Sequence, residues 1–430
     1  MTDDGATLVI EGGTLIDGTG DEARANGRLA IAGNRIAAVA AEGPGRGDGG
    51  PERVERIDAT GQWVMPGLID AHVHLSFGHP LSPGIGRGTV SAEFTALRAA
   101  MNAQDVLRAG VTSISVPGGA WFSDVAVREA IAHGLVEGPR IHCAGRLLSV
   151  SGGGGDREPY WVGTPDHAIS KLCHGAEEMV AEVRRQAKHR VDYVKLIDSD
   201  WGEFQAFADD ELAAVADEAH RRNLKCAIHS RGAASTRAAA AAGFDWIIHG
   251  DLATEAELDL MARRGTALLP TFTSAVLALG REGGFGLFAD EKAVLTRHMA
   301  ACAETCRRAR ERGVRLLAGS DTGNIGWMTY GTHHAKEAEI FVEEVGLTPM
   351  EAIVAMTRDN AMAVGLEGEV GTIEAGKLAD VIVLDADPLA DIAVLQDPRR
   401  LSAVIKDGRP VDLAPAAGAA PLAFTRIAAE

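Results

Sequence analysis

The sequence predicts an α/β chain, a (β/α)8 TIM barrel with a small β-sandwich domain built from both chain ends. Two observations carry this. Between Leu68 and about Gly365, eight short apolar runs alternate with longer stretches of Ala, Glu and Arg at helical spacing, as strands each followed by a helix would. On either side stand blocks of another character, in which apolar pairs fall between Gly, Asn and Asp turn signals and no helical period appears.

The first of these blocks runs from Leu8 to Val64 and includes LVIEGGTLIDGTG and GRLAIAGNRIAAVA. Its counterpart near the other end includes GTIEAGKLADVIVLDADP and SAVIKDGRPVDL. Two β-rich ends can combine into one sandwich with the central segment inserted between them. The expected division is 1–66 plus 366–414 for the sandwich, 67–365 for the barrel and 415–430 for a tail, with Pro66-Gly67 marking the passage inward.

Within the barrel the eight runs are GLIDAHVH, GVTSISVPG, RIHCAG, VDYVKLID, LKCAIHS, FDWIIHG, TALLPTF and VRLLAGSD. Helical candidates between them include SAEFTALRAAMNAQDVLRAG, AEEMVAEVRRQAKHR, DDELAAVADEAHRRN and ASTRAAAAAG. In such a barrel the chemistry sits at the C-terminal ends of the strands. One connection is abnormally long: Gly145 to Gly175 has no clear period and carries four consecutive glycines. It is read as a lid or pocket wall, a surface insertion being the plainer alternative.

At 430 residues the chain exceeds one ordinary core, which suits a barrel with an appended domain. A formal charge of −18 argues against nucleic acid, since phosphate repels such a surface. The five cysteines, Cys143, Cys173, Cys226, Cys302 and Cys306, are odd in number and lack framework spacing, so all five are expected as reduced thiols. No run approaches the eighteen apolar residues of a membrane helix, and MTDDGATLVI lacks a basic region ahead of an apolar stretch. A cytoplasmic enzyme with a small-molecule substrate and no membrane partner is expected.

The chemistry-bearing residues are spread over several strand ends. His72 and His74 are two apart in the first run, so both point to one face, where two imidazoles can hold a cation. His229, His249 and Asp321 end the fifth, sixth and eighth runs. Any one of these histidines is more simply a packed or surface residue. Four of them with an aspartate, all at matching ends, argue for a site. Lys195 lies in the fourth run among residues suited to a buried parallel strand, where an unpaired ammonium pays heavily for desolvation. Either it snorkels to solvent from the strand end, or its amine has reacted with carbon dioxide. The resulting carbamate is an anion able to bridge two cations.

GLIDAHVH, Lys195, CAIHSRG, WIIHG, AGSDTG and the ending GKLADVIVLDADPL together resemble the amidohydrolase superfamily, and within it the imidazolonepropionase-like and prolidase-like branch that includes Xaa-Pro dipeptidases and ochratoxinase-type amidases. The resemblance spans nearly the whole chain. It implies that His72 and His74 bind a first metal beside Asp321, that His229 and His249 bind a second, and that carboxylated Lys195 bridges the two. Two divalent ions, zinc expected, would then lower the pKa of a bridging water and polarise a scissile carbonyl. Asp321 would act as general base and then acid. Homo-oligomers are usual among such proteins.

Substrate contacts are expected at Arg231, Tyr193, His142 and Trp327. Arg231 is two past His229, and its guanidinium could grip a carboxylate or form a salt bridge at the rim. Tyr193 and His142 either line the pocket or fill the core. Trp327 and Tyr330, with His333 and His334 beyond, follow Asp321 in a loop suited to an aromatic wall, and Glu337 falls four after His333, an ordinary helical pair. Dipeptidase-like relatives often carry a histidine in the glycine-rich loop after strand three, where this chain has Gly154. That departure favours a bulkier amide, urea or carbamate. The alternatives are an Xaa-Pro or aminoacyl dipeptidase anchored by Arg231, a cyclic amidase or deaminase, against which Lys195 counts, and a non-catalytic scaffold, against which the intact ligand set counts.

Overall fold

Val-, Ile- and Leu-rich runs buried on both faces cannot show the period-two alternation of a half-exposed strand, and they suit a parallel sheet covered by helices. A computed structural model describes residues 5–40, 54–77, 90–165, 168–280, 289–323, 328 and 330–414. In it these runs form the strands Leu68–Asp70, Val111–Val116, Arg140–Cys143, Tyr193–Ile197, Lys225–Ser230, Trp246–His249 and Ala267–Leu269. Neighbours pair in parallel, with Ser113 opposite Arg140, Tyr193 opposite Lys225 and Trp246 opposite Ala267.

Two junctions complete the ring. Asp192 donates its N–H to the Cys143 carbonyl at 2.8 Å, joining the third strand to the fourth. Residues 314–322 supply the eighth segment: Leu317 donates to Leu268 at 2.8 Å, and Ala71 to Ala318 at 3.1 Å, with single bridges Leu268–Leu316 and Val73–Thr322. All eight runs therefore close, in chain order, into one barrel. Gly319 makes this closure possible, because a Cβ there would lie 2.8 Å from the Cβ of His72.

The helices follow local signals. Ser91 caps Ala92–Arg108 through Phe94 N–H. Thr348 and Glu351 form a reciprocal capping box, with Pro349 at the first helical position of Pro349–Met356. The barrel floor is shut by Met362 and Ala363, packed with Ala144, Tyr193, Trp246, Ala267 and Leu317. Asn360 ties the floor together, donating to the Ile69 and Ala318 carbonyls and accepting from Ala318 N–H.

Both chain ends combine in one eight-stranded sheet around its own core of Leu8, Ile10, Leu29, Ile31, Val64, Val381, Val383 and Ile405. The ends meet where Val381–Leu384 runs antiparallel to Trp63–Pro66. Arg140, on the third barrel strand, pairs with Asp380 and Asp407 and so ties this sheet to the barrel.

The long connection is less irregular than its sequence suggests. Leu147–Ser149 and Ser170–Leu172 pair in parallel, and Leu148 also pairs with Leu196 on the fourth strand. Three-residue strands are too short to show a period. All five cysteines are free and buried. Among the described residues no helix is long and apolar enough to cross a membrane; residues 415–430, the expected tail, lie outside them.

Candidate metal centre

At the C-terminal end of the barrel the first strand runs into His72 and His74, both buried. His74 Nδ1–H donates to the Gly118 carbonyl at 3.2 Å, which leaves Nε2 as the lone-pair atom. That atom faces His72 Nε2 at 3.3 Å. Asp321 Oδ1 lies 3.3 Å from the first imidazole and 3.4 Å from the second. Ligands about 2.0–2.1 Å from a tetrahedral zinc stand about 3.3 Å from one another. These three atoms therefore have the spacing of one face of such a site.

A second pair faces the first. His229 Nε2–H donates to the Asp200 carbonyl at 3.2 Å, and its Nδ1 is 2.9 Å from His249 Nε2. His249 Nδ1 shares a 2.7 Å hydrogen bond with Thr271 Oγ1. Metal-binding imidazoles are usually oriented this way, with the distal nitrogen held by a neighbouring group.

Protonation agrees with this donor set. Burial lowers His72 to about 4, against the opposing pull of Asp321. Burial, helped by the charge of Arg231, takes His229 and His249 well below the ordinary imidazole range. Burial opposes ionisation of Asp321, but His72 and His74 outweigh it and hold the carboxyl well below its usual value. Neutral imidazoles beside a carboxylate are ready to ligate a cation.

Lys195 completes the ring. It is 3% exposed and, among the described residues, has neither hydrogen bond nor ion pair. Its charge acts on His72, His229, His249 and Asp321 alike. Burial pushes its ammonium down to about 7, opposed by Asp321 and assisted by Arg231.

Backbone strain marks the same place. His249, Thr271 and Asp321 adopt left-handed conformations with φ of 72°, 56° and 55°. Each such residue costs about 1–3 kcal/mol and survives where the surroundings over-determine it, often at functional sites.

Several supporting residues were not singled out from the sequence. Asp70 is buried within the first strand and accepts from His72 N–H and Ser320 N–H, both at 3.0 Å, from Ser320 Oγ at 2.6 Å and from His334 Nδ1 at 2.9 Å. A carboxylate inside an apolar run was the available clue. Asp200, Thr271, Asp251 and His298 sit on loops and a helix, where spacing says nothing about direction.

The expected substrate contacts need correction. Tyr193 faces the interior like Lys195, but two residues earlier, about 7 Å deeper. It is fully buried, its hydroxyl bonded to Ser115 at 2.9 Å and its ring stacked on His142 at 5.4 Å. His142 lies against Gly365 at the barrel floor. Tyr193 fills the core below the centre, and His142, partly buried, packs beneath it. Tyr330 and His334 also lie behind this group of donors, Tyr330 donating to the His74 carbonyl at 2.5 Å and His334 meeting Asp70. Glu337 reaches another element: its carboxylate accepts from Phe272 N–H, Thr273 N–H and Thr273 Oγ1. Trp327 lies outside the described residues.

Arg231 does reach the mouth, already partnered. Its guanidinium pairs with Asp251, which also accepts from His298 Nδ1 at 2.8 Å, and it stands over the Trp201 ring at 5.1 Å. Gly154 is packed so tightly that a Cβ would lie 2.9 Å from Asp200 Oδ1 and 3.0 Å from the Asp198 carbonyl, so a histidine has no room there.

Comparisons with known proteins span most of the chain. A model of the amidohydrolase family matches residues 63–411. The chain is 29% identical to ochratoxinase of Aspergillus niger, over 95% of its own length and 87% of that protein's. A solved Xaa-Pro dipeptidase with bound methionine superposes with a TM-score of 0.84 at 28% identity, covering 94% of this chain and 99% of the other. Molinate hydrolase superposes at 0.76 and 25% identity, covering 95% of each.

Proposed function

The chain belongs to the amidohydrolase family, hydrolases acting on carbon–nitrogen bonds, and from that premise we propose that it cleaves an amide, urea or carbamate at a binuclear centre. His72, His74 and Asp321 would hold one divalent cation, His229 and His249 the other, and carboxylated Lys195 would bridge them. Zinc suits the nitrogen and oxygen donors. When bound, such cations supply an acidified water and a polarised carbonyl.

The observation that carries this reading is Lys195. A buried ammonium with no ion-pair partner among the described residues is costly, and the charge of this one acts on His72, His229 and His249 and is felt against Asp321. Attack of its neutral amine on carbon dioxide forms an N–C bond and releases one proton to solvent. The product is an anion in place of a buried amine.

The remaining residues take roles that follow from their contacts. Asp321, ionised and at the mouth, accepts the proton of the attacking water at its carboxylate and returns it to the leaving nitrogen. Gly118 and Asp200 carbonyls fix the imidazole tautomers. Trp201 and Arg231 form one wall, and since Asp251 neutralises the guanidinium, that wall suits a neutral planar group better than a carboxylate.

A second reading, a dipeptidase with Arg231 as the carboxylate anchor, is favoured by the likeness to the Xaa-Pro dipeptidase. A hydrolysis screen on metal-reconstituted protein decides between them. Turnover of neutral aryl amides, ureas or carbamates, abolished in Lys195→Ala, supports the first reading. Turnover confined to dipeptides and N-acyl amino acids supports the second. Full activity in Lys195→Ala would remove the bridged centre from either.

A further inference from the structure

A second group of unlike donors meets on the outer side of the strand Lys225–Ser230, away from the barrel mouth. Side chains alternate along a strand, so Cys226 faces the helix layer while Ala227 and His229 face the interior. There Cys226 meets His220, near the end of Asp209–Arg221, and Asp245, which immediately precedes Trp246–His249. His220 Nε2 is 3.0 Å from Asp245 Oδ2. Cys226 Sγ is 3.6 Å from the imidazole nitrogen and 3.7 Å from the carboxylate oxygen.

Zinc bonds of about 2.0–2.1 Å to nitrogen and oxygen and about 2.3 Å to sulfur, at tetrahedral angles, put neighbouring donors about 3.3–3.6 Å apart. The three observed edges lie within a few tenths of an ångström of that range. Thiol and carboxylate are also held in place. Cys226 N–H donates to Asp245 Oδ2 at 2.8 Å, and Asp245 N–H to the Cys226 carbonyl at 2.9 Å. His220 is 44% exposed, which leaves an entry path and room for a water as the fourth ligand.

The fold contains its own control. Asp192, preceding the strand Tyr193–Ile197, accepts from Cys143 N–H at 2.9 Å, lies 3.4 Å from Cys143 Sγ and pairs with Arg128 at 2.6 Å. The same aspartate–cysteine staple thus occurs twice on the barrel. One copy carries a guanidinium, which has no lone pair to offer; the other carries an imidazole, which does.

We propose that His220, Cys226 and Asp245 form a metal site distinct from the barrel-mouth centre, taking a thiophilic divalent cation such as zinc or cadmium. Binding exchanges the thiol proton, released to solvent, for a metal–thiolate bond. His220, whose Nε2–H points at Asp245 in the metal-free protein, is then neutral with its proton on Nδ1 so that Nε2 offers the lone pair, and Asp245 is ionised. An ion there ties the helix Asp209–Arg221 to the two strands whose far ends carry His229 and His249.

Cadmium titration of the metal-free protein tests this, with the ultraviolet thiolate-to-cadmium band and bound metal after gel filtration as readouts. The wild type is expected to show the band and to retain one more equivalent than His220→Arg, which preserves an ion pair with Asp245 but cannot ligate. Cys226→Ser is expected to lose the band as well. Because Cys226 is buried, His220→Arg at the exposed position keeps the test decisive should Cys226→Ser fail to fold. No band in the wild type, or an undiminished band and equivalent count in His220→Arg, overturns the site.

Discussion

His229 Nδ1 faces His249 Nε2 at 2.9 Å, and the Asp200 carbonyl, by taking the other His229 proton, makes the first of these atoms a lone pair. If His249 likewise gives its Nδ1 proton to Thr271, two lone pairs oppose each other and only a cation relieves them. Thr271→Val removes that acceptor while keeping the shape. It is expected to weaken metal binding at this pair by about 10–100-fold and leave the His72–His74 pair unchanged. Competition against a chromophoric chelator measures both; equal affinities in the two proteins would show that Thr271 does not set the tautomer.

Lys195→Ala is expected to lower turnover by on the order of 10³-fold, since charge stabilisation at a metal centre contributes several kcal/mol and each 1.36 kcal/mol is a factor of ten. The bound metal should also fall, because the bridging anion is gone. The vacated space should admit a small carboxylic acid, and adding one to the variant is expected to restore part of the activity. A variant that keeps both metals and full turnover would exclude Lys195 as a ligand.

The convergence of these side chains at one end of the barrel was legible because strand period and strand end fix both face and height: His72 and His74 by their spacing of two, His229, His249 and Asp321 by their position before a turn. Depth was harder to read. Tyr193 shares a face with Lys195, yet two residues place it a full layer lower, against Trp246 and His142. The Asp70–His334 contact spans 264 positions, and the counterion of Arg231 lies on another loop. No local pattern encodes either. The short strands Leu147–Ser149 and Ser170–Leu172 were hidden for a different reason: their residues acquire strand geometry only by pairing with the barrel.

Glu337 gives a pH dependence with a definite sign. Burial pushes its carboxyl up to about 8, against the three donors at Phe272 and Thr273 that favour the ionised form. The unfolded chain loses this proton near the ordinary value of 4.5, so over the window between those values it binds fewer protons than the folded chain. Stability therefore falls as pH rises through that window, by at most about 1.4 kcal/mol per unit. Asp124, pushed up to about 6 by its own burial, acts in the same direction over a narrower range. Urea midpoints of metal-free protein at about pH 5 and pH 8 should differ more for the wild type than for Glu337→Gln. An equal difference would mean that Glu337 stays ionised throughout.

Asp251 decides what Arg231 can recognise. The carboxylate is almost fully buried and divided between Arg231 and His298, so Asp251→Asn leaves a largely buried guanidinium without its counterion. Breaking such a pair typically costs about 3–5 kcal/mol, and a clear drop in the urea midpoint is expected. The same change frees the guanidinium to accept a carboxylate in two places. If Asp251 is what keeps acidic substrates out, Asp251→Asn should lower KM for N-acyl amino acids relative to neutral amides, with kcat changing much less. Should the wild type already prefer acidic substrates and the variant lose them, Asp251 would instead be orienting Arg231 toward a substrate carboxylate, and the dipeptidase reading would stand.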